Sequence, residues 1–258
     1  MTKIIKISLL TASVLISSLS AIEITSNTDA INIAGKQRMF TQRMLKNYAM
    51  IGMNNTFGNP TEDLEKIISE FDESLISLEN YTKSNEIKKS LENVKKLWEP
   101  VKKLLTAPPS KEKVEKLQID LDALLKASDE TTKLFTKTSK DKSNETINIS
   151  GRQRMLSQRM ASLYMLKVWD VKDPQFKTKL DDSMKLFKDS LNTLQNNSLN
   201  TDEINKLLAS VKKSFMFFEV MNQKNSTKFI PTLIYKKSND ILKNMDSVTK
   251  QYVKIESK

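Results

Sequence analysis

The chain has 258 residues, a formal net charge of +11, 28% charged residues, and neither histidine nor cysteine. That composition excludes Ser-His-Asp triads, thiol nucleophiles, ordinary zinc or transition-metal sites, disulfides and a lipid-attachment cysteine. Four glycines, six prolines and no long alternating β-branched runs specify an all-α protein.

Residues 1–21 read as a secretory signal peptide. Lys3 and Lys6 precede an apolar run from Ile7 to about Leu19, and Ser18-Leu19-Ser20 before Ala21 fits a small-x-small cleavage site. The run is short for a membrane span and diluted by Ser and Thr, which leaves an uncleaved anchor as the alternative. Cleavage leaves about 237 residues with a net charge of +9, enough for two modules of ordinary size and with no further span. The expected location is periplasmic. An exported chain seldom meets nucleic acid, so the positive charge points to anionic ligands or to the polyanionic cell envelope.

The next stretch is Ile31-Asn-Ile-Ala-Gly-Lys-Gln-Arg-Met-Phe-Thr-Gln-Arg-Met44, and the chain writes it twice. Ile147-Asn-Ile-Ser-Gly-Arg-Gln-Arg-Met-Leu-Ser-Gln-Arg-Met160 repeats it 116 residues later, and Tyr48 and Tyr164 follow the two copies. Steps of three and four residues give Ile31, Gly35, Arg38, Gln42, Leu45, Ala49 and Gly52 in one copy. In the other they give Ile147, Gly151, Arg154, Gln158, Ala161, Met165 and Val168. This is a heptad seam, one helix stripe suited to lie against a partner helix. An arginine in a packed seam is costly unless its charge is matched. A solvated face is the plain alternative, but duplication of the glycine, the glutamine and both arginines favours a functional role.

Gly52 to Pro60 ends the first helix, and Pro60-Thr-Glu-Asp63 opens a second with Leu64, Ile67, Ile68, Phe71, Leu75 and Leu78 inward. A third runs from about Glu86 to Leu105 with Leu91, Val94, Leu97, Trp98, Val101 and Leu105 inward and a kink expected at Pro100. Thr106-Ala-Pro-Pro-Ser110 is a turn, with Ser110 a candidate cap for the fourth helix. The second half copies this plan: Phe71, Ser74, Leu75 and Leu78 recur 116 residues on at Phe187, Ser190, Leu191 and Leu194, while Val94 and Asp129 recur 117 on at Val211 and Asp246. The expected architecture is two tandem antiparallel four-helix bundles, residues 22–138 and 139–258. Thr136 to Thr146 joins them. A turn there brings the seam helices side by side and makes one chain an internal pseudo-dimer; a continuous helix stacks the modules and requires a homodimer. The density of Ser, Asn and Thr favours the turn.

The repeated motif resembles the PilJ-type domain found at the N-terminus of type IV pilus methyl-accepting chemotaxis transducers. It is similar also to the periplasmic sensor domains of nitrate/nitrite sensor histidine kinases. Those domains are antiparallel four-helix bundles whose first helix carries G-x-x-R-M-x-x-x-R. The resemblance places that glycine on Gly35 and Gly151, the first arginine on Arg38 and Arg154, and the second on Arg43 and Arg159. In the nitrate sensors the first arginine, one from each subunit, grips the anion, which implies the same role for Arg38 and Arg154.

The expected site is therefore a small oxyanion between Arg38 and Arg154, with Gly35 and Gly151 allowing close approach and Gln42 and Gln158 adding donors. No acidic residue lies on the seam to relieve the two guanidiniums. Arg43 and Arg159 lie five residues further on, about 140° around the helix, and are expected to pair with Asp129 and Asp246. No nucleotide-binding or calcium-loop pattern occurs, the carboxylates are scattered, and neither a cofactor nor catalysis is expected. Two readings stand: an exported sensor or binding protein for a nitrate- or nitrite-like anion, or a ligand-free helical interaction module of the envelope, pilus- or receptor-associated. Either needs a partner protein that the sequence does not name, because the chain has no signalling segment of its own.

Overall fold

The computed structural model describes residues 22–138, 142–223 and 230–256. The expected leader, and residues 139–141 of the junction, lie outside the described residues. Among the described residues there are eight helices and no strand: α1 (Asn27–Gly52), α2 (Pro60–Tyr81), α3 (Asn85–Leu105), α4 (Lys111–Lys137), α5 (Lys142–Val168), α6 (Phe176–Gln195), α7 (Asp202–Gln223) and α8 (Pro231–Glu256). No helix among them is long and apolar enough to cross a membrane.

The helix ends follow local chemistry. Ser26, extended at φ −144°, accepts the Asp29 N–H and starts α1. Pro60 takes the first position of α2, where its missing N–H is harmless, and Glu62 and Asp63 face the helix's positive end. Ser110 precedes α4, but its hydroxyl turns to Glu112, while its own N–H donates to the Tyr48 hydroxyl at 3.1 Å. Helix α3 continues through Pro100, which sits on an exposed position.

The two halves form two four-helix bundles, α1–α4 and α5–α8. The apolar stripe expected on α2 is buried throughout, and that on α3 except for Leu97, which is half-buried. Each bundle centres on an aromatic pair at repeat-related places: Phe71 and Trp98 with centroids 4.3 Å apart, Phe187 and Phe215 at 4.5 Å. The Trp98 indole also donates to Asp72 at 2.6 Å.

The bundles join through α1 and α5, which pack along each other. Arg38 reaches Asn148 and Arg154 reaches Asn32; lower down, Lys46 reaches Gln158 and Ser162 reaches Gln42. Equivalent levels of the repeat therefore face each other, so the two helices run parallel. The end-to-end arrangement is excluded and one chain brings both seam arginines together. With neighbours on several sides, α1 and α5 are buried nearly all round, and they carry polar side chains into the core. The single seam stripe read from the sequence understates this.

Close approach of the seam helices ends at Gly52, where an added Cβ would lie 2.2 Å from the Trp169 ring. Trp169 in turn meets Tyr48 edge-on at 6.1 Å. Gly52→Val should therefore overpack this contact and destabilise the protein by about 1–3 kcal/mol. In thermal melts, Trp169→Ala should cost less in the Gly52→Val background than in the wild type, because the valine refills the space; equal costs in both would contradict the contact.

Candidate functional site

The motif's first glutamine fixes each seam helix to its own bundle. Gln37 donates to the Ser74 hydroxyl at 3.3 Å on α2, and Gln153 donates to the Phe187 carbonyl at 2.9 Å on α6. The next residue, Arg38 or Arg154, then faces the opposite half. Both arginines have side chains that are 0% exposed.

Arg38 Nη1 donates to Asp129 at 2.6 Å and to the Asn148 side-chain oxygen at 2.9 Å, and Nη2 to the Asn148 carbonyl at 3.3 Å. Arg154 repeats the pattern: Nη1 to Asp246 at 2.8 Å, Nη2 to the Asn32 side-chain oxygen at 2.9 Å and carbonyl at 3.3 Å. Each arginine is thus neutralised by its own bundle and held by an asparagine of the other.

Gly35 and Gly151 sit beneath the guanidiniums. A Cβ on Gly35 would meet Arg38 Nη2 at 3.2 Å and Arg154 Nη2 at 3.7 Å; one on Gly151 would meet Arg154 Nη2 at 3.2 Å and Arg38 Nη2 at 3.4 Å. The two Nη2 groups therefore converge over side-chain-free backbone. On the same edge of each guanidinium, Nε–H is buried and has no hydrogen-bond partner among the described residues. The same atoms are left over in both halves: Nε of Arg38 and Arg154, and Oε1 of Gln37 and Gln153.

Two expectations are corrected here. Asp129 and Asp246 pair with Arg38 and Arg154, not with Arg43 and Arg159, and the seam arginines are consequently not unrelieved. The reason is register. Antiparallel α4 sets Phe135 and Thr138 beside Asn27 and Ser110 beside Tyr48, which brings Asp129 level with the turn around Asn32. Side chains lean toward the N-terminus of their helix, so Arg38 reaches that turn and Arg43 falls short. Arg43 instead makes a two-pronged pair with Asp63 on α2, and Arg159 crosses to Asp122 on α4 at 3.2 Å. The glutamines lie one turn further along the seam. Gln42 and Gln158 bond within a second polar layer, to Thr41, Ser157, Ser162, Lys46 and the Ser238 carbonyl, and not to the arginines.

Burial pushes Arg38 down to about 10, against the opposing pull of Asp129, and Arg154 moves the same way for the same reasons. Both remain cations at any physiological pH. Burial alone would raise Asp129 and Asp246, but Arg38 and Lys133 for one, Arg154 and Lys250 for the other, hold them below the usual carboxylate range. Lys133 and Lys250 bind the outer carboxylate oxygens at 2.7 and 2.8 Å, so this layer carries two more cations than anions. Among the described residues, no cluster of acidic side chains could hold a metal ion.

The family model for the PilJ domain, the N-terminal part of type IV pili methyl-accepting chemotaxis transducers, matches residues 23–126 and 135–215. The chain belongs to the PilJ family. The two matched segments fall in the two bundles, consistent with two tandem copies of this helical, sensory type of module. No curated protein and no solved structure matches the chain.

Asn32 and Asn148 had no role in the sequence reading, although the repeat preserves both; their duplication was the available signal. Removing a partner from a buried ion pair costs roughly 3–5 kcal/mol, and the partial exposure of Asp129 puts Asp129→Ala at the lower end. A loss of about 3 kcal/mol lowers the melting temperature of a chain this size by roughly 6–12 °C. Glu86→Ala, at an exposed position, should shift it by no more than about 2 °C. Equal melting temperatures for the two variants would overturn the pairing.

Proposed function

We propose that this PilJ-family chain is an exported, non-catalytic sensor or binding protein for one small planar oxyanion of the nitrate or nitrite kind, held between Arg38 and Arg154. The observation that carries this reading is the pair of buried, unpartnered Nε–H donors beside converging Nη2 groups and side-chain-free backbone. The Nε–Nη2 edge is the side on which a guanidinium grips a planar oxyanion through two hydrogen bonds. Each charge-assisted bond contributes about 1.5–3 kcal/mol, and the surplus positive charge of the layer favours an anion further. In this reading Gly35 and Gly151 give the anion room, the carboxylates of Asp129 and Asp246 hold the guanidiniums in position, and the signal passes to a separate receptor or envelope protein. The site is complete in a single chain.

A second reading has a specific observation in its favour. Nη1 of each arginine is already bonded to a carboxylate, so the network also serves as a lock between bundles in a ligand-free interaction module.

Thermal melting of the chain with a panel of anions separates the two. At nitrate or nitrite concentrations 100 times the dissociation constant, binding stabilises the fold by about 2.7 kcal/mol, which raises the melting temperature by roughly 5–10 °C. Arg38→Lys and Arg154→Lys keep the charge but lose the Nε edge, and each should remove the rise; Lys113→Ala, at an exposed position, should keep it. No shift with any small anion would favour the lock.

A further inference from the structure

One turn beyond Gln42 the two halves differ at one buried position. The first half carries Lys46 where the second carries Ser162, 116 residues on. Lys46 is 0% exposed. Its ammonium crosses the seam to Gln158 Oε1 at 2.6 Å and Asn239 Oδ1 at 2.8 Å, and lies 4.5 Å from the centre of the Tyr235 ring. Among the described residues it forms no salt bridge.

The surroundings account for that isolation. On its own helix the nearby charge is Arg43, and on α2 it is Asp63, which Arg43 already holds in a two-pronged pair. Helix α8 contributes the Tyr235 phenol and the Asn239 amide, and α5 only the Gln158 amide. Asn239 stands 117 residues after Asp122, the offset that relates Asp129 to Asp246. The chain therefore places an amide beside Lys46 where the sister bundle has a carboxylate. A buried ammonium without a carboxylate is expensive to keep charged. A neutral amine still has two N–H donors for the same two oxygens.

We propose that Lys46 is a proton-responsive pin between the two bundles, able to give up its buried charge while keeping its bonds to Gln158 and Asn239. Ser162 at the equivalent place of the other half shows that the fold itself does not demand a lysine there. The chain has no histidine or cysteine, so, the terminal amine aside, no other side chain has an ordinary titration between pH 5 and 8. A response in that window therefore belongs to a perturbed group. Burial pushes Lys46 down to about 7, with Arg43 pushing the same way and Asp63 opposing. Lys36 is also lowered by burial and Arg154, but Asp246 opposes this, and it serves as the control. Burial, then Asp63, raises Tyr235, so its phenol stays protonated throughout the window.

The sign follows from linkage. The folded chain releases the Lys46 proton near pH 7, whereas the unfolded chain holds it to about 10.5. The stability penalty is fully present below pH 7 and is relieved as pH rises above it. The same pin exists whether or not the arginine layer takes an anion, so the test is made with no added anion beyond a chloride buffer.

Melting the chain between pH 6 and 8.5 should show a rise of about 5 °C. Lys46→Met and Lys46→Ser should flatten it, and Lys36→Met should leave it intact. Asn239→Asp supplies the missing carboxylate and should also flatten it, by carrying the titration well above the window. Where a variant fails to fold, NMR titration of lysine side chains in the wild-type chain decides: a buried ammonium with a midpoint within one unit of pH 7 supports the pin. Midpoints above 9.5 for every lysine, or the same pH slope in Lys46→Met as in wild type, would overturn it.

Discussion

Two arginine–aspartate pairs, each buried at the arginine end and tied across the seam by the opposite half's asparagine, constrain the whole molecule. A guanidinium with no exposed surface must be matched in charge and in hydrogen bonds, or it costs several kcal/mol. Asp129 and Asp246 supply the charge from the fourth helix of each bundle, and Asn148 and Asn32 supply bonds from the other bundle. Four helices must therefore hold register together. The glycines beneath the arginines are part of the same requirement, since both Nη2 groups lie near the space a Cβ would take.

Seen from these pairs, the seam is a polar core laid between two apolar ones. The aromatic pairs Phe71–Trp98 and Phe187–Phe215 hold each bundle by ordinary burial. Between the bundles lie the arginine layer and, a few residues along, the layer of Gln42, Gln158, Lys46 and Ser162. Buried polar networks contribute specificity when every member is satisfied and are sensitive when one is not. Along the seam helices four buried atoms without a partner among the described residues recur at repeat-related positions, in Arg38 and Arg154 and in Gln37 and Gln153, whereas those of Asn47 and Asn144 have no counterpart in the other half. That symmetry sets them apart from incidental defects.

Much of the fold was legible because duplication made it so. The offset of 116 or 117 residues gave two bundles, the helix order and the equivalence of Arg38 with Arg154 before any geometry. The partner of each arginine was not legible, because it depends on both the register and the facing of α4 against α1, which put Asp129 within reach of Arg38 while Arg43 turns to Asp63 on α2. The roles of Asn32 and Asn148 were hidden for a related reason. Their bonds are long-range and run between the halves, so neither half alone shows them. Lys46 escaped notice because it breaks the repeat, and reading by repetition passes over a position that only one copy uses.

The most direct measurement is NMR of the arginine Nε–H groups during a nitrate titration of the single chain. Arg38 and Arg154 should give slowly exchanging Nε–H resonances, identified by their absence in Arg38→Lys and Arg154→Lys. Both should move downfield together, saturating at one nitrate per chain, while Arg43, already bonded to Asp63 through Nε, stays fixed. Nε–H resonances of Arg38 and Arg154 that do not respond to nitrate, nitrite or another small oxyanion would contradict the account and leave the pairs as a structural lock.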